Sequence, residues 1–195
     1  MRHLPAGATV LTGSEREFAA NVIRANHYTH SVPSRKSHYV AVGNAIVIWS
    51  IPANCNIGKF LLPPGGGVVW ELSRLWAPDG HERNLLTKAV SVAVAVISTL
   101  ERPDALVSYA DPNVGHHGGV YRAASWVFHG QSEEARVYRH KDTGQTVARR
   151  AFHSGRQFLR KREIEALGYE ELKLPGKLRF VRPLSRRAKR LFQGI

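Results

Sequence analysis

Val68-Val-Trp-Glu-Leu-Ser-Arg-Leu-Trp76, then Pro78-Asp-Gly-His-Glu-Arg-Asn84, then a run from Glu82 to Leu100 free of Gly and Pro, then Ala105-Leu-Val-Ser-Tyr109: this stretch decides the fold. Residues of Val68–Trp76 alternate inward and outward as in a long strand. Pro63-Pro64-Gly65-Gly66-Gly67 breaks the chain before it. Val90, Val92, Val94 and Val96 alternate as a strand would, but the length of the Glu82–Leu100 run favours a helix. With Ala105–Tyr109 as the next short strand, the segment reads strand, loop, helix, strand.

Upstream, Ser14-Glu-Arg-Glu17 has the form of a capping box, and Phe18, Val22 and Ile23 follow at helical spacing, which predicts a helix over about 15–25. Pro33, Ser34, Arg35 and Lys36 read as an exposed basic loop. Tyr39–Val42 and Ala45–Ser50 flank Gly43-Asn44 as a hairpin. Downstream, Gly119–Ser125 reads as a short helix and Trp126–His129 as a strand. Arg136–His140 and Val147–Phe152 form a second hairpin around Asp142-Thr-Gly144, and Ser154–Leu167 a helix stopped by Gly168. The expected class is α/β (α+β): a mixed, mostly antiparallel sheet with helices on its faces.

The 195 residues fit one domain with a sizeable core. Apolar residues make up 43% and charged residues 22%, which excludes a disordered basic tail protein. A net charge of +13 points to a polyanionic partner, nucleic acid before an anionic membrane. Residues 156–195 carry 12 Lys or Arg against 4 Asp or Glu, so +8 of that charge lies in the last fifth of the chain. They are expected to form a basic C-terminal extension packed on a catalytic domain of residues 1–155. The single cysteine, Cys55, excludes an internal disulfide and a Cys-rich zinc site. The N-terminus lacks the unbroken apolar stretch of a secretory signal, and Ala89–Leu100 is far short of a bilayer span, so a cytoplasmic protein without membrane association is expected.

The segment richest in chemistry is Ser108-Tyr-Ala-Asp-Pro-Asn-Val-Gly-His-His-Gly-Gly-Val-Tyr-Arg-Ala-Ala-Ser-Trp126, where a strand enters a loop bearing Asp111, His116 and His117 and then a helix bearing Tyr121. The plain alternative is a turn in which Asp111 caps a helix and the histidines are merely exposed. His27-Tyr28-Thr29-His30 offers a base near neutral pH beside a hydroxyl, or else a helix end with Tyr28 packed on the core. His27, Asp111 and His116 form a two-His, one-carboxylate set of the kind that suits iron, although no spacing among the ten histidines is diagnostic. Pro78–Asn84 can aim backbone N–H groups and a helix N-terminus at a pyrophosphate, or be a solvated turn.

Together Asn26-His-Tyr-Thr-His-Ser31, Glu71-Leu-Ser-Arg-Leu75, Ser108-Tyr-Ala-Asp-Pro112 and Gly115–Trp126 resemble the Mom proteins of bacteriophages, of the GNAT-like acyltransferase superfamily. The resemblance covers roughly residues 15–155 and is most specific from Ser108 to Ala123. It implies a GNAT-like fold and conversion of adenine in phage DNA to its N6-carbamoylmethyl form, which protects that DNA from host restriction. It implies catalytic positions at His27, Tyr28, Asp111 and Tyr121, with Tyr121 as the acid for a departing thiolate. It also implies acetyl-CoA or a related acyl-CoA, near Ser73, Arg74, Gly80, Arg83 and Asn84, and links to iron. The usual Gln/Arg-x-x-Gly-x-Gly/Ala loop is absent, and Pro78–Asn84 stands in its place. The carbamoylmethyl group is joined through its methylene carbon, so simple acyl transfer, which leaves an amide, does not by itself produce it.

The expected partner is duplex DNA with the target adenine flipped out of the stack, gripped by Arg35, Lys36, Arg186, Arg187, Lys189 and Arg190; a homodimer is left open. Asp111 and His27 are expected to position or deprotonate the adenine amine. Two other readings compete: a conventional N-acetyltransferase acting on a protein or small amine, and a non-catalytic basic DNA-binding protein.

Overall fold

The protein is described by a computed structural model over residues 4–154 and 157–194. Its first half runs β1 (Thr9–Leu11), α1 (Gly13–Asn26), β2 (Ser37–Val42), β3 (Ala45–Ser50), α2 (Ile57–Leu61), β4 (Val69–Trp76), α3 (Leu85–Glu101) and β5 (Ala105–Ala110). A 3-10 turn (Pro112–Val114), α4 (Gly119–Ala123) and β6 (Val127–Gln131) follow. The chain then builds β7 (Ala135–His140), β8 (Thr146–Ala148), β9 (His153–Ser154), β10 (Gln157–Phe158), α5 (Lys161–Ala166) and β11 (Tyr169–Leu174). It ends with β12 (Leu178–Pro183) and α6 (Arg186–Leu191).

Seven strands form the main sheet in the order β1-β2-β3-β4-β5-β12-β6. Only β4 and β5 pair in parallel, with α3 as their crossover, so the expected mixed, mostly antiparallel sheet is what the chain forms. α3 settles the ambiguity of the valine run. Ala89, Val90, Ala93, Val96 and Ile97 are buried at helical spacing against Val40, Val47, Trp49, Trp70 and Leu72, while Val92 and Val94 lie at the margin. Each fully buried Val or Ile contributes about 1.5–3 kcal/mol, which outweighs the small helix penalty of β-branching. The other face of the sheet is covered by α1 through Ala19, Ala20 and Ile23, and by α2 and α6 through Ile57, Leu61, Ala188 and Phe192. α1 starts earlier than its sequence suggests: Thr12 is the N-cap, without a side-chain bond, and Ser14 lies inside the first turn.

Two features of the register place the site. Opposite β3, Arg74 faces Ile48 and Leu72 faces Trp49, so Ser73 is an extra, unmatched residue in β4. The β4–β5 ladder runs from Val69↔Ala105 only to Leu72↔Ser108. Beyond it β4 stays with β3 as far as Trp76, while β5 stays with β12, Tyr109 facing Arg179. The two parallel strands therefore part at Ser73 and Tyr109, and the sheet opens between them.

Residues 132–177, inserted between the neighbouring strands β6 and β12, form a small lobe. A sheet of order β11-β7-β8, the β9–β10 ribbon and α5 enclose Tyr138, Phe152 and Ile164. Here two expectations are corrected. The strand expected over 147–152 ends at Ala148 and becomes a 3-10 turn, Arg149–Phe152, because Phe152 turns into the lobe core. The helix expected over 154–167 is confined to Lys161–Ala166; Leu159 pairs back to the Phe152 carbonyl, and Glu163 caps the Arg160 N–H. The basic segment 156–195 supplies β12, an interior strand of the main sheet.

Candidate functional site

Where β4 and β5 part, a cavity of about 340 Å³ opens, lined by His27, Tyr28, Ser73, Tyr109, His116 and Tyr121 among others. Its size is that of a small-molecule site. A broader groove of about 680 Å³ lies between α1 and the β2–β3 hairpin, but it is apolar surface with Glu15 as its one ionisable side chain. The chemistry is therefore at the strand opening.

Tyr121 reaches this cavity from α4. The turn before it requires glycine at 118, where φ is +76 and a Cβ would collide with the Phe180 ring. The Tyr121 hydroxyl lies 2.9 Å from Ser108 Oγ, which is itself 2.8 Å from the Leu72 carbonyl oxygen. Ser108 has one proton and gives it to that carbonyl, so Tyr121 donates to Ser108. Burial pushes the phenol up to about 12, opposed by the hydrogen bond that Ser108 could turn from the Leu72 carbonyl to the phenolate. Tyr121 thus keeps its proton at neutral pH.

His27 is the C-cap of α1, its N–H bonded to the Ile23 carbonyl as the chain turns extended. The Thr29 backbone N–H donates to His27 Nδ1 at 3.2 Å, with Thr29 Oγ1 at 2.9 Å. Nδ1 is therefore an acceptor and Nε2 carries the hydrogen. Burial, reinforced by Arg74, His116, His30 and Lys177, lowers its pKa to about 4. His27 is a neutral donor rather than a base poised near neutrality, which favours positioning over deprotonation. The Tyr28 ring stacks on it at 4.4 Å and meets His116 edge-on at 5.1 Å.

Asp111 is buried outside the cavity lining. Its Oδ1 accepts from both the backbone N–H and the Nδ2 of Asn113, and its Oδ2 is 3.1 Å from Lys177 Nζ. Burial alone would raise the carboxyl pKa; the bonds from Lys177 and Asn113 overcome it and hold the pKa below its usual value. This is the capping geometry weighed from sequence, a clamp on the loop whose His116 N–H also returns to the Asp111 carbonyl. Among the described residues no group of three or more His, Cys, Asp or Glu is placed to hold a metal. With His27 Nδ1 and both Asp111 oxygens occupied, the set of His27, Asp111 and His116 does not fit iron.

Of the residues expected at a cofactor, Arg74 is committed inward: Nε donates to the Ser31 carbonyl at 2.7 Å, Nη2 to Ser31 Oγ at 3.0 Å and Nη1 to the Ser73 carbonyl at 2.6 Å. Ser73 Oγ sits against Ser50 Oγ at 2.5 Å. Gly80, Arg83 and Asn84 are exposed in the loop before α3. Gly80 and Asn84 take left-handed backbone, and no side chain caps α3. That uncapped helix end and Arg83 suit a pyrophosphate.

The basic residues divide in the same way. Arg35 donates to the Pro52 carbonyl, Lys36 pairs with Glu101 at 2.7 Å, and Arg187 donates to the carbonyls of Leu62, Pro64 and Gly66. Arg186, Lys189 and Arg190 on α6 are exposed, as are Arg35, Lys36 and Arg187.

Two residues escaped the sequence reading. Glu71 on β4 is a largely buried carboxyl whose pKa burial raises, against Arg74, the Ala53 N–H and Lys177. It also acts electrostatically on Tyr109 and Tyr121. A carboxylate between Trp70 and Leu72 in a strand was the available signal. Lys177, brought to Asp111 from the far end of the inserted lobe, had none.

The family model described as the Mom protein family matches residues 10–194. A curated relative, the "Methylcarbamoylase mom" of Escherichia phage Mu, is 28% identical over 122 residues, 59% of this chain and 51% of the relative. The chain thus spans about half the length of that relative. Among solved structures, the ribosomal-protein-S5-alanine acetyltransferase of Vibrio fischeri is 11% identical with a TM-score of 0.49, covering 92% of this chain and 93% of that one. On a family match that runs through nearly every element described above, from β1 to α6, the chain belongs to the Mom protein family.

Proposed function

We propose that this chain is a transferase that modifies adenine in phage DNA, installing the carbamoylmethyl group on N6 and so shielding the DNA from restriction. The observation that carries the reading is the cavity at the parting of β4 and β5, into which His27 and Tyr28 from the end of α1 and Tyr121 from α4 converge. The family match and the name of the phage Mu relative, a methylcarbamoylase, support its group-transfer character. An adenine entering the cavity leaves the base stack, because N6 is otherwise paired inside the duplex.

An acyl-CoA fits the uncapped start of α3, held by the Gly80–Asn84 backbone and Arg83, and when bound would supply an acyl carbon with a thiolate leaving group; attack of N6 there would give an amide, so the bond from N6 to the methylene carbon of the carbamoylmethyl group belongs to a separate step. The chain's own groups divide the remaining work. His27 Nε2–H and the Tyr28 ring orient the base. Glu71, like Asp111, lies outside the cavity lining and acts on Tyr109 and Tyr121 through its charge. Tyr121 holds a proton that can pass to the leaving group. Asp111 and Lys177 fix the loop that carries His116 to Tyr121.

The test is mass spectrometry of nucleosides from DNA of cells expressing the protein. An adenine derivative heavier by one carbamoylmethyl group is the expected result; unmodified adenine at full soluble expression would refute the reading.

A further inference from the structure

The inserted lobe is unequal in its charges. On the β7–β11 side four cations have carboxylate partners: Arg139 with Glu170, Arg136 with Glu171, Lys161 with Glu165 and Glu171, and Lys173 with Glu134. Around the β9–β10 ribbon the pattern changes. Arg149, Arg160 and Arg162 have no carboxylate within ion-pair distance among the described residues. Arg160 and Arg162 are exposed.

Beside Arg149, and two residues before Arg160, is an aromatic that the lobe core does not use. Phe158 is 53% exposed while Phe152, Tyr138 and Ile164 fill the interior. His153 meets its ring edge-on at 4.8 Å, and the Arg149 guanidinium lies 5.8 Å from its centroid. Arg149 is fixed there by donating to Tyr138 Oη at 2.9 Å and to the Leu159 carbonyl at 2.7 Å. An exposed ring held in place by neighbours, among cations lacking carboxylates, is the chemistry of a base-stacking platform beside a phosphate track.

The lobe is also tied to the cavity wall. Asn113 Nδ2 donates to the Pro175 carbonyl at 3.0 Å, and Lys177 Nζ is 3.1 Å from Asp111 Oδ2, both on the loop that carries His116 to Tyr121. We infer that the 132–177 lobe is the DNA-docking surface of this protein, with Phe158 stacking on a base exposed by the distorted duplex and Arg149, Arg160 and Arg162 facing its phosphates. The inference rests on the proposed function for its partner. It adds the lobe to the exposed Arg35 and Lys36 and leaves aside Arg187, whose guanidinium donates to three backbone carbonyls.

The experiment is fluorescence anisotropy of a labelled adenine-containing duplex over a series of salt concentrations, with the full-length protein. Phe158→Ala and Phe158→Leu should each weaken binding by about tenfold, because leucine keeps apolar area without a stacking face. Arg160→Glu with Arg162→Glu should flatten the slope of log affinity against log salt by about two, one phosphate each. All these positions are exposed, and unchanged thermal melts would show intact folding.

Wild-type affinity and slope in the lobe variants would overturn the inference, as would loss confined to Arg186→Glu with Lys189→Glu on α6. The proposed chemistry would survive either result, since modified adenine is read separately. Conversely, DNA binding that is lost with the lobe variants while adenine stays unmodified would support the docking surface and remove only the proposed chemistry.

Discussion

Ser108 Oγ, 2.9 Å from the Tyr121 hydroxyl and 2.8 Å from the Leu72 carbonyl, joins β5, α4 and β4 at the point where the sheet opens. The bond holds the phenol at the cavity wall and gives its proton a resting place. Tyr121→Phe should leave folding within about 1 kcal/mol of wild type and cut adenine modification by ~10² or more. Near wild-type modification would take Tyr121 out of the chemistry. Ser108→Ala should cost roughly 1–3 kcal/mol, because it leaves the buried phenol without its acceptor.

His27 sets a pH dependence of stability. Its pKa falls from 6.5 to about 4 on folding, so between those values the unfolded chain binds the extra proton. The contribution is fully present above 6.5 and is lost as pH falls through about 4. Thermal melts should therefore decline across that window, and less steeply in His27→Asn, whose Oδ1 can still accept from the Thr29 N–H. Parallel profiles for the two proteins would show that His27 titrates normally.

Glu71 and Asp111 are the two carboxyls at the site, and their environments push them in opposite directions. Neither lines the cavity. Glu71→Gln, which removes a charge felt by Tyr109 and Tyr121, and Asp111→Asn, which keeps the acceptor for Asn113, should both retain most of the modification at matched soluble levels. Counting modified adenines in cellular DNA would decide, and near-complete loss in either variant would give that carboxyl the base role.

The Asp111–Lys177 pair should instead show in stability. The folded carboxyl titrates below its unfolded value of 3.8, so its contribution is present above that pH and disappears as pH falls through the lower folded value. Relative to Asp111→Asn, the wild type should be more stable by roughly 1–2 kcal/mol near neutrality, a figure already discounted for the half-exposed lysine. The gap should close in strong acid. A gap that persists in acid would mean that the charge contributes nothing.

Local signals were enough wherever pairing was local. Gly43-Asn44 gave the β2–β3 hairpin, and the Gly- and Pro-free run gave α3 despite its valine alternation. Long-range pairings left no such trace. β12 lies between β5 and β6 through contacts with Ser108 and Phe128, which nothing around Phe180 announces. The β9–β10 ribbon replaced a helix because Phe152 and Leu159 needed the lobe core, a demand set by residues far along the chain. At the site, His27, Tyr28, His116 and Tyr121 came together as their types suggested. Asp111 takes the capping geometry that its Asp-Pro-Asn context allowed, outside the cavity lining.

Arg187 shows why a charge run does not identify a binding surface. Its guanidinium donates to the carbonyls of Leu62, Pro64 and Gly66, which otherwise lack that partner where the loop before β4 doubles back. Arg190, three positions on, is exposed. Arg187→Ala should therefore destabilise the fold by about 2 kcal/mol or more, as expected for lost charge-assisted hydrogen bonds. Arg190→Ala should stay within about 0.5 kcal/mol of wild type. Chemical denaturation of both variants separates a loop tie from a phosphate contact, since a residue that only gripped DNA would leave the free protein's stability untouched. Equal midpoints for Arg187→Ala and wild type would restore Arg187 to the DNA surface and require another anchor for the Pro63–Gly67 loop.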